Sequence, residues 1–192
     1  GVERMRSGEA VRWCCDALAT MCAGNEEVRA EVMSHKGADR LVLAMKRHAW
    51  DEDLCAGACM AMTALASDHA KECGAAGAVQ RVLSVMKNNA SSYQVQTRGT
   101  QSLTALTRGY PPNLKIALDS NALAVVRAAL DANPEDGQLQ WRGMNLLDAL
   151  RPGKGEEIRV RALERSFSSF MKRKDSKAQM GGSFAERPPV QP

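Results

Sequence analysis

The sequence repeats itself at intervals of about 40 residues. One marker is a turn signal before an apolar run, and it occurs at Gly37, Gly77 and Asn121. A second marker is an Ala-Leu pair, which occurs at residues 17–18, 64–65, 105–106 and 149–150. The turn signals are 40 and 44 residues apart, and the last three pairs are 41 and 44 residues apart. Because both series lengthen at the same place, we predict a tandem helical repeat.

Each copy is predicted to contain three helices. Gly and Asn tolerate positive φ, so a helix that ends at the turn signal can reverse into the next one. A short helix precedes the turn, and its predicted N-caps are Asn25, Asp68 and Asn113. A middle helix follows the turn, and a long helix carries the Ala-Leu pair. The apolar stripe of the long helix includes a small residue six positions before the Ala of the pair, which allows close approach of a neighbouring helix. These small residues are Ala58, Gly99 and Gly143.

This three-helix unit resembles the armadillo repeat. The family pattern is a short helix, a Gly-Ala-Ile turn, an apolar helix and a long helix that closes on Ala-Leu-x-Asn-Leu. Residues 77–79 and 105–106 match it well, whereas residues 37–39 and 121–123 match it less well. The resemblance covers about residues 8–152. It implies an all-α protein, a right-handed α-solenoid of about three armadillo-like repeats plus a partial first one. A HEAT-like array has a similar period and is the second choice.

The charge distribution separates the repeats from the rest of the chain. Residues 1–152 are assigned to the array, and the basic excess lies after it, since residues 151–192 hold ten Lys or Arg and five Asp or Glu. Residues 153–177 are predicted to form a basic helix that caps the last repeat. The alternative for this helix is a segment that binds an acidic membrane surface or a calmodulin-like partner. Residues 178–192 are rich in Pro and Gly and are expected to be disordered or bound along a partner.

Two serines in this basic region, Ser168 and Ser176, each follow an Arg by three residues, which is a context that basophilic kinases use.

Six cysteines all precede residue 74, and none forms a CxxC motif. In segments rich in Ala and Met they are predicted to be small core residues, which suits a reducing compartment and a cytoplasmic location. Cys55 and Cys59 share a helix face, but zinc needs about four ligands and no second pair has ligand spacing. We therefore expect no metal and no cofactor. No apolar run approaches the ~20 residues that span a membrane, so membrane contact is expected only through the basic tail.

The sequence favours binding over catalysis. His35, His48 and His69 lie apart from any nucleophile-like motif, and no phosphate-binding glycine motif occurs. Nucleic-acid binding is not expected, because it requires a basic face and the body of the chain is near neutral. We predict a non-catalytic scaffold that binds a protein or an extended peptide. The alternative is a structural subunit or fragment of a larger array within a multiprotein assembly.

The resemblance implies that the partner lies on a concave face lined by the long helices. Counted from the Ala of each pair, exposed rows are predicted at −8, −4, −1 and +3, and Ala56 and Thr97 belong to the −8 row. The predicted partner-binding residues are Trp13, Asp16, Met60, Thr63, Gln101, Thr104, Arg108, Trp141, Asn145 and Asp148. Trp13 and Trp141 are either binding anchors or residues partly buried at the ends of the array. In the family's nuclear-import adaptors, Asn fills the +3 row and Trp often fills the −1 row. Neither pattern occurs here, which excludes basic import-signal binding as the main function.

Overall fold

The computed structural model describes residues 2–151, with side chains from Gly8 onward. This part of the chain contains nine α-helices and no β-strand, which confirms the all-α prediction. The helices are α1 (Val2–Cys22), α2 (Glu26–Ser34), α3 (Gly37–Arg47), α4 (Glu52–Ala75), α5 (Ala78–Asn88), α6 (Tyr93–Gly109), α7 (Pro111–Asp119), α8 (Ala122–Ala132) and α9 (Gly137–Ala149). The predicted helix at 153–177, the tail at 178–192 and both serine sites lie outside the described residues.

The three middle helices, α3, α5 and α8, begin in the same way. Each is 11 residues long and directly follows a residue in the left-handed conformation, namely Lys36, Gly77 or Asn121. The prediction that Gly37 takes this conformation is wrong. Gly37 is the first helical residue of α3, and a Cβ on it would lie 2.3 Å from a methyl group of Val32. The close packing of α2 on α3 therefore requires the glycine, and Lys36 takes the turn.

With Lys36 as the first turn residue, the two markers have the same spacing, 41 and 44 residues. The interval from turn residue to the Ala of the next pair is 28 residues in every copy, and it runs from Lys36 to Ala64, from Gly77 to Ala105 and from Asn121 to Ala149. The interval from each Ala to the next turn residue is 19, 13 and 16 residues in chain order. All variation in repeat length therefore falls in the stretch that holds the short helix.

The short helices begin in three different ways. The side chain of Asn25 accepts a hydrogen bond from the Val28 N–H at 3.1 Å, which confirms it as the N-cap of α2. Asp68 is not an N-cap, because α4 continues past it to Ala75 with one non-helical residue at His69. The Asp68 carboxylate instead forms an ion pair with Arg29 of α2.

Asn113 is also not an N-cap. Helix α7 begins at Pro111, whose fixed φ suits the first helical position, so Asn113 falls inside the first turn. Its buried amide donates to the carbonyl oxygens of Ala70 at 2.8 Å and of Leu106 at 3.0 Å. A Cβ on Gly74 would lie 1.9 Å from the Asn113 Oδ1. Asn113 thus joins the ends of α4 and α6, and Gly74 makes room for it.

The long helices bury the predicted stripe. Leu65, Leu106 and Leu150, which follow the Ala of each pair, are at most 1% exposed. The small residues of the stripe meet the preceding middle helix, since a Cβ on Gly99 would lie 2.5 Å from the Met86 Cγ. Gly143 has the same relation to Leu130 at 2.5 Å. The prediction that small residues permit close helix approach is confirmed for α6 and α9.

After each middle helix the chain turns a corner, and one side chain of the following long helix hydrogen-bonds back to carbonyls at the end of that middle helix. The amide of Gln96 donates to the carbonyl oxygens of Met86 at 2.9 Å and of Asn89 at 2.8 Å. Gln140 donates to the equivalent carbonyls of Leu130 and Asn133 at 2.8 and 3.1 Å. In the first copy the Cys55 thiol donates to the His48 carbonyl at 3.3 Å. These bonds satisfy carbonyl groups that a helix end leaves without an intrahelical partner.

Replacing Leu106 with Ala is expected to lower the free energy of unfolding by about 2–5 kcal/mol, because the fully buried side chain leaves a cavity. The matched control is Leu43→Ala on α3, where Leu43 is exposed and the loss should be about 1 kcal/mol or less. Urea titrations followed by circular dichroism measure both. A Leu106→Ala loss below about 0.5 kcal/mol would contradict the assigned register of the long helices.

Replacing Gln96 with Glu tests the corner hydrogen bonds without changing side-chain size. At neutral pH the carboxylate cannot donate to the two buried carbonyls, so a loss of about 1–3 kcal/mol or more is expected. The loss should be smaller at pH ~4, because burial beside carbonyl oxygens raises the carboxyl pKa and favours the protonated form. Gln94→Glu, at an exposed position of the same helix, is the control. Equal urea midpoints for the two variants would show that these bonds contribute nothing.

Candidate protein-interaction surface

The ten predicted binding residues all lie on the four long helices. Helix α1 contacts α4, α4 contacts α6, and α6 contacts α9. Trp13 and Asp16 lie on α1, Met60 and Thr63 on α4, Gln101, Thr104 and Arg108 on α6, and Trp141, Asn145 and Asp148 on α9. The surface is therefore built from neighbouring helices, although individual residues differ in exposure and surroundings.

Three of the predicted residues meet at one depression. Met60, Thr63 and Gln101 line a groove of about 290 Å³ between α1, α4 and α6, which we call the long-helix groove. Arg98 of α6 and Arg29 of α2 also line it, and no Asp or Glu does. The structure brings these three predicted residues together around a cationic depression.

The two arginines of the long-helix groove differ in whether they form an ion pair within the protein. The Arg29 guanidinium is bound to Asp68 and donates to the Cys22 carbonyl at 2.8 Å. Arg98 is partly exposed and forms no ion pair among residues 8–151. Arg98 is thus the groove cation that is available to a ligand, and a carboxylate or a backbone carbonyl suits it.

The predicted threonines, Thr63 in the groove and Thr104 outside its lining, already use their hydroxyls as donors. The Thr63 hydroxyl donates to the Cys59 carbonyl and the Thr104 hydroxyl to the Thr100 carbonyl, each at 2.8 Å. Their oxygens can still accept hydrogen bonds from a ligand. Arg108 is exposed in the last turn of α6. Thr63 therefore offers an acceptor in the groove whose lining also includes Arg98.

The two predicted residues on α1 have different roles, since Asp16 packs against α4 and Trp13 is exposed. Asp16 is partly buried against α4, since a Cβ on Gly57 would lie 2.5 Å from the Asp16 Oδ1. Trp13 is 65% exposed, and the Arg12 guanidinium lies 5.2 Å from its ring centroid. Arg12 also pairs with Asp53 at 2.9 Å. Asp16 supports the α1–α4 contact, and one face of Trp13 is covered by a cation.

The prediction that the −8 row is exposed is wrong on α4 and α6. Ala56 is 5% and Thr97 is 8% exposed, whereas Trp141 in the same row is 69% exposed. The row is buried on helices with a long helix on each side, and within the described residues no long helix follows α9. Trp141 is therefore open because it lies on the last described helix, and it lies outside the long-helix groove.

The other predicted residues on α9 lie on the same helix as Trp141. Asn145 is exposed, and Asp148 is partly buried with its carboxylate 3.5 Å from the Arg151 guanidinium. Met144, which sequence reasoning missed, is also exposed. It occupies the position that Cys59 and Thr100 take on α4 and α6, where both are fully buried. Comparing row positions between copies is the signal that could have identified Met144.

Trp50 is a second exposed residue that sequence reasoning missed. It lies in the turn between α3 and α4 and is 75% exposed. A Trp within a polar linker is the sequence signal that could have identified it. Because exposed Trp side chains are common in binding hot spots, Trp50 is a further candidate contact.

The cysteines are packed rather than reactive, with one exception. Burial raises the pKa of Cys15 to about 11 and the pKa values of Cys55 and Cys73 to about 12. Burial also raises the pKa of Cys22 and of Cys59. Cys14 on α1 is exposed. Raised pKa values keep the buried thiols protonated and poorly nucleophilic at neutral pH.

Metal and membrane signals are absent from the described part. Among residues 8–151, no group of three or more His, Cys, Asp and Glu side chains is arranged to hold a metal ion. None of the helices in the described range combines the length and hydropathy that a membrane crossing requires.

Comparisons of the chain with models of known families, with curated proteins and with solved structures find no match.

One of the six thiols is expected to react quickly with a disulfide reagent in the native protein, because only Cys14 is exposed. All six should react in concentrated guanidinium chloride. Native thiol titration at pH ~8, with Cys14→Ser as the control, measures this. More than one fast equivalent, or a fast equivalent that survives in Cys14→Ser, would contradict the burial of the other five.

Proposed function

We propose that this chain is a non-catalytic scaffold that binds a protein or an extended peptide on its long helices. In this proposal the helices form an armadillo-like, right-handed α-solenoid, and the long helices line its concave face. The constant 28-residue interval and the recurring left-handed turn residue support a true repeat. Repeat arrays commonly bind partners on such a face. Packed, protonated cysteines support a cytoplasmic location.

The observation that carries the proposal is the long-helix groove. It combines apolar contact from Met60 with polar groups from Thr63 and Gln101 and with the cation of Arg98. An extended peptide presents backbone carbonyls at regular intervals together with side chains, and these side chains and carbonyls match such a mixed surface. Because Arg98 has no acidic neighbour in the groove, we propose a ligand with a carboxylate at this point.

A second candidate function is supported by exposed residues on α9, the last described helix. Trp141 and Met144 on α9 are exposed at positions that are buried on α4 and α6. On this view the chain is a structural subunit or fragment of a larger array within a multiprotein assembly. Further helices would cover these positions there, as neighbouring repeats do in other arrays.

Selection from a displayed library of random 12-residue peptides tests the scaffold proposal. We expect enriched sequences to share an acidic position and to bind the full chain in fluorescence anisotropy titrations. Arg98→Gln should weaken binding about tenfold or more, since a hydrogen bond to a charged group is worth about 1.5–3 kcal/mol. Gln101→Ala should weaken it less.

The matched control is Arg47→Gln, which removes the same charge from an exposed position of α3 outside the groove. This variant should leave the affinity within about twofold, because a distant exposed charge is screened by salt. The proposal fails if no peptide is enriched. It also fails if the enriched peptides bind Arg98→Gln and Gln101→Ala as tightly as the unmodified chain.

A further inference from the structure

The middle helix α5 packs on a set of three helices, and the chain contains a second set of the same kind. It contacts α6, α7 and α8. Helices α1, α2 and α3 are the counterparts of α6, α7 and α8 in the repeat. Both short helices are nine residues long and both middle helices are 11 residues long, and each middle helix follows a left-handed residue. The structure therefore contains a second set of three helices without an α5 counterpart in the described residues.

A groove lies at the matching place. Helices α1, α2 and α3 enclose about 500 Å³, which we call the α1–α3 groove. Its apolar lining comes from Val11 and Leu18 on α1, from Val32 on α2, and from Leu41 and Ala44 on α3. The contribution of all three helices makes this groove the equivalent of the position that α5 occupies.

The exposure of α1 residues shows that this face is uncovered. Cys14, Cys15 and Leu18 occupy the row positions of Ser102, Leu103 and Leu106 on α6, and all three α6 residues are at most 1% exposed. On α1, Cys14 is exposed and Leu18 is only partly buried. Cys15 is 2% exposed, because it packs into the core. A middle helix covers all three row positions on α6, whereas on α1 the positions of Cys14 and Leu18 stay open among the described residues.

We propose that the α1–α3 groove binds an amphipathic helix of about three turns from a protein partner, placed as α5 is placed on α6, α7 and α8. The groove continues an interface already present in the molecule, since α3 contacts α5 and α5 contacts α8. The partner helix would be the next member of this row. Its apolar residues would follow the pattern of Val79, Val82 and Met86, which are buried in α5.

One position predicts the size of a partner side chain. Gly99 of α6 meets Met86, and a Cβ there would lie 2.5 Å from the Met86 Cγ. Val11 takes the position of Gly99 on α1, and its larger side chain leaves less room. The partner helix is therefore expected to carry a small residue, such as Ala, where α5 carries Met86. This proposal does not depend on the long-helix groove, because the residues named for the two sites differ.

A synthetic copy of residues 76–90 with Met86→Ala is the probe. Isolated helices of this length are marginal in water, so a crosslink between positions 80 and 87, both exposed in the protein, holds the helix. We expect saturable binding to the full chain by fluorescence anisotropy. We also expect alkylation of Cys14 to slow about tenfold or more at saturation, since the thiol lies in the groove.

Matched variants localise the binding. Ala44→Arg places a charge in the groove and should weaken binding about tenfold or more. Ala128→Arg, at an exposed position of α8, should leave the affinity unchanged. A peptide with Val82→Asp should not bind, because it carries a charge on the apolar face. If Ala44→Arg does not fold, Cys14→Arg replaces it, because Cys14 is exposed in the groove.

Three results would overturn the proposal. One is an unchanged rate of Cys14 alkylation in the presence of the Met86→Ala peptide. Another is equal binding by the Val82→Asp peptide or by the groove variant. The third is protection of Cys14 without peptide that appears with rising protein concentration, together with a dimer in sedimentation velocity. That outcome would assign the groove to a second copy of this chain. Failure of the library selection, in contrast, would affect only the scaffold proposal.

Discussion

A long helix in this chain buries its whole apolar stripe only when long helices lie on both sides and a middle helix crosses it. Helices α4 and α6 meet this condition, and their apolar rows are closed. Helices α1 and α9 each have one long neighbour among the described residues, and parts of the same rows are open. Because burial of apolar surface is the main stabilising term, each copy depends on its neighbours for stability. The same condition determines which surfaces are available for binding.

The corner between the middle and long helices has little freedom in length. Gln96 and Gln140 reach back to carbonyls at the end of the preceding middle helix, and Gly99 and Gly143 pack against that helix. One inserted residue would rotate the long helix by about 100° and move these groups away from their contacts. This explains the constant 28-residue interval. The short helices lack such a repeated bond, and their stretches vary in length.

Much of the fold could be predicted from the sequence, because periodic apolar residues report directly on burial. The positions of Leu106 and Leu150 and the close approach at Gly99 follow from spacing alone. The turn at Lys36 could not be predicted, since packing of Gly37 on Val32 displaces the left-handed residue by one position. Asp68 and Asn113 have side chains suited to caps, but tertiary contacts use them elsewhere.

The candidate surface could be predicted less completely. Row counting correctly placed the candidates on the long helices, and Met60, Thr63 and Gln101 lie around one groove. It failed for Thr97, because exposure depends on which helices are neighbours and spacing does not contain that information. Trp141 occupies the same row and is exposed only because of its place at the end.

The continuity of α4 has a consequence for how the protein loses its structure. This helix carries the long helix of one copy and the start of the next without an intervening loop, and only His69 departs from helical geometry. His69 is therefore a kink at which two helical segments meet, and the long helix of one copy is joined there directly to the short helix of the next. Between α6 and α7 the helix is interrupted at Tyr110, whose backbone is extended, and Pro111 begins the next helix. Fraying that starts at α9 reaches the break at Tyr110 before it reaches His69, so the last copy can open as a separate cooperative unit while the first two open together.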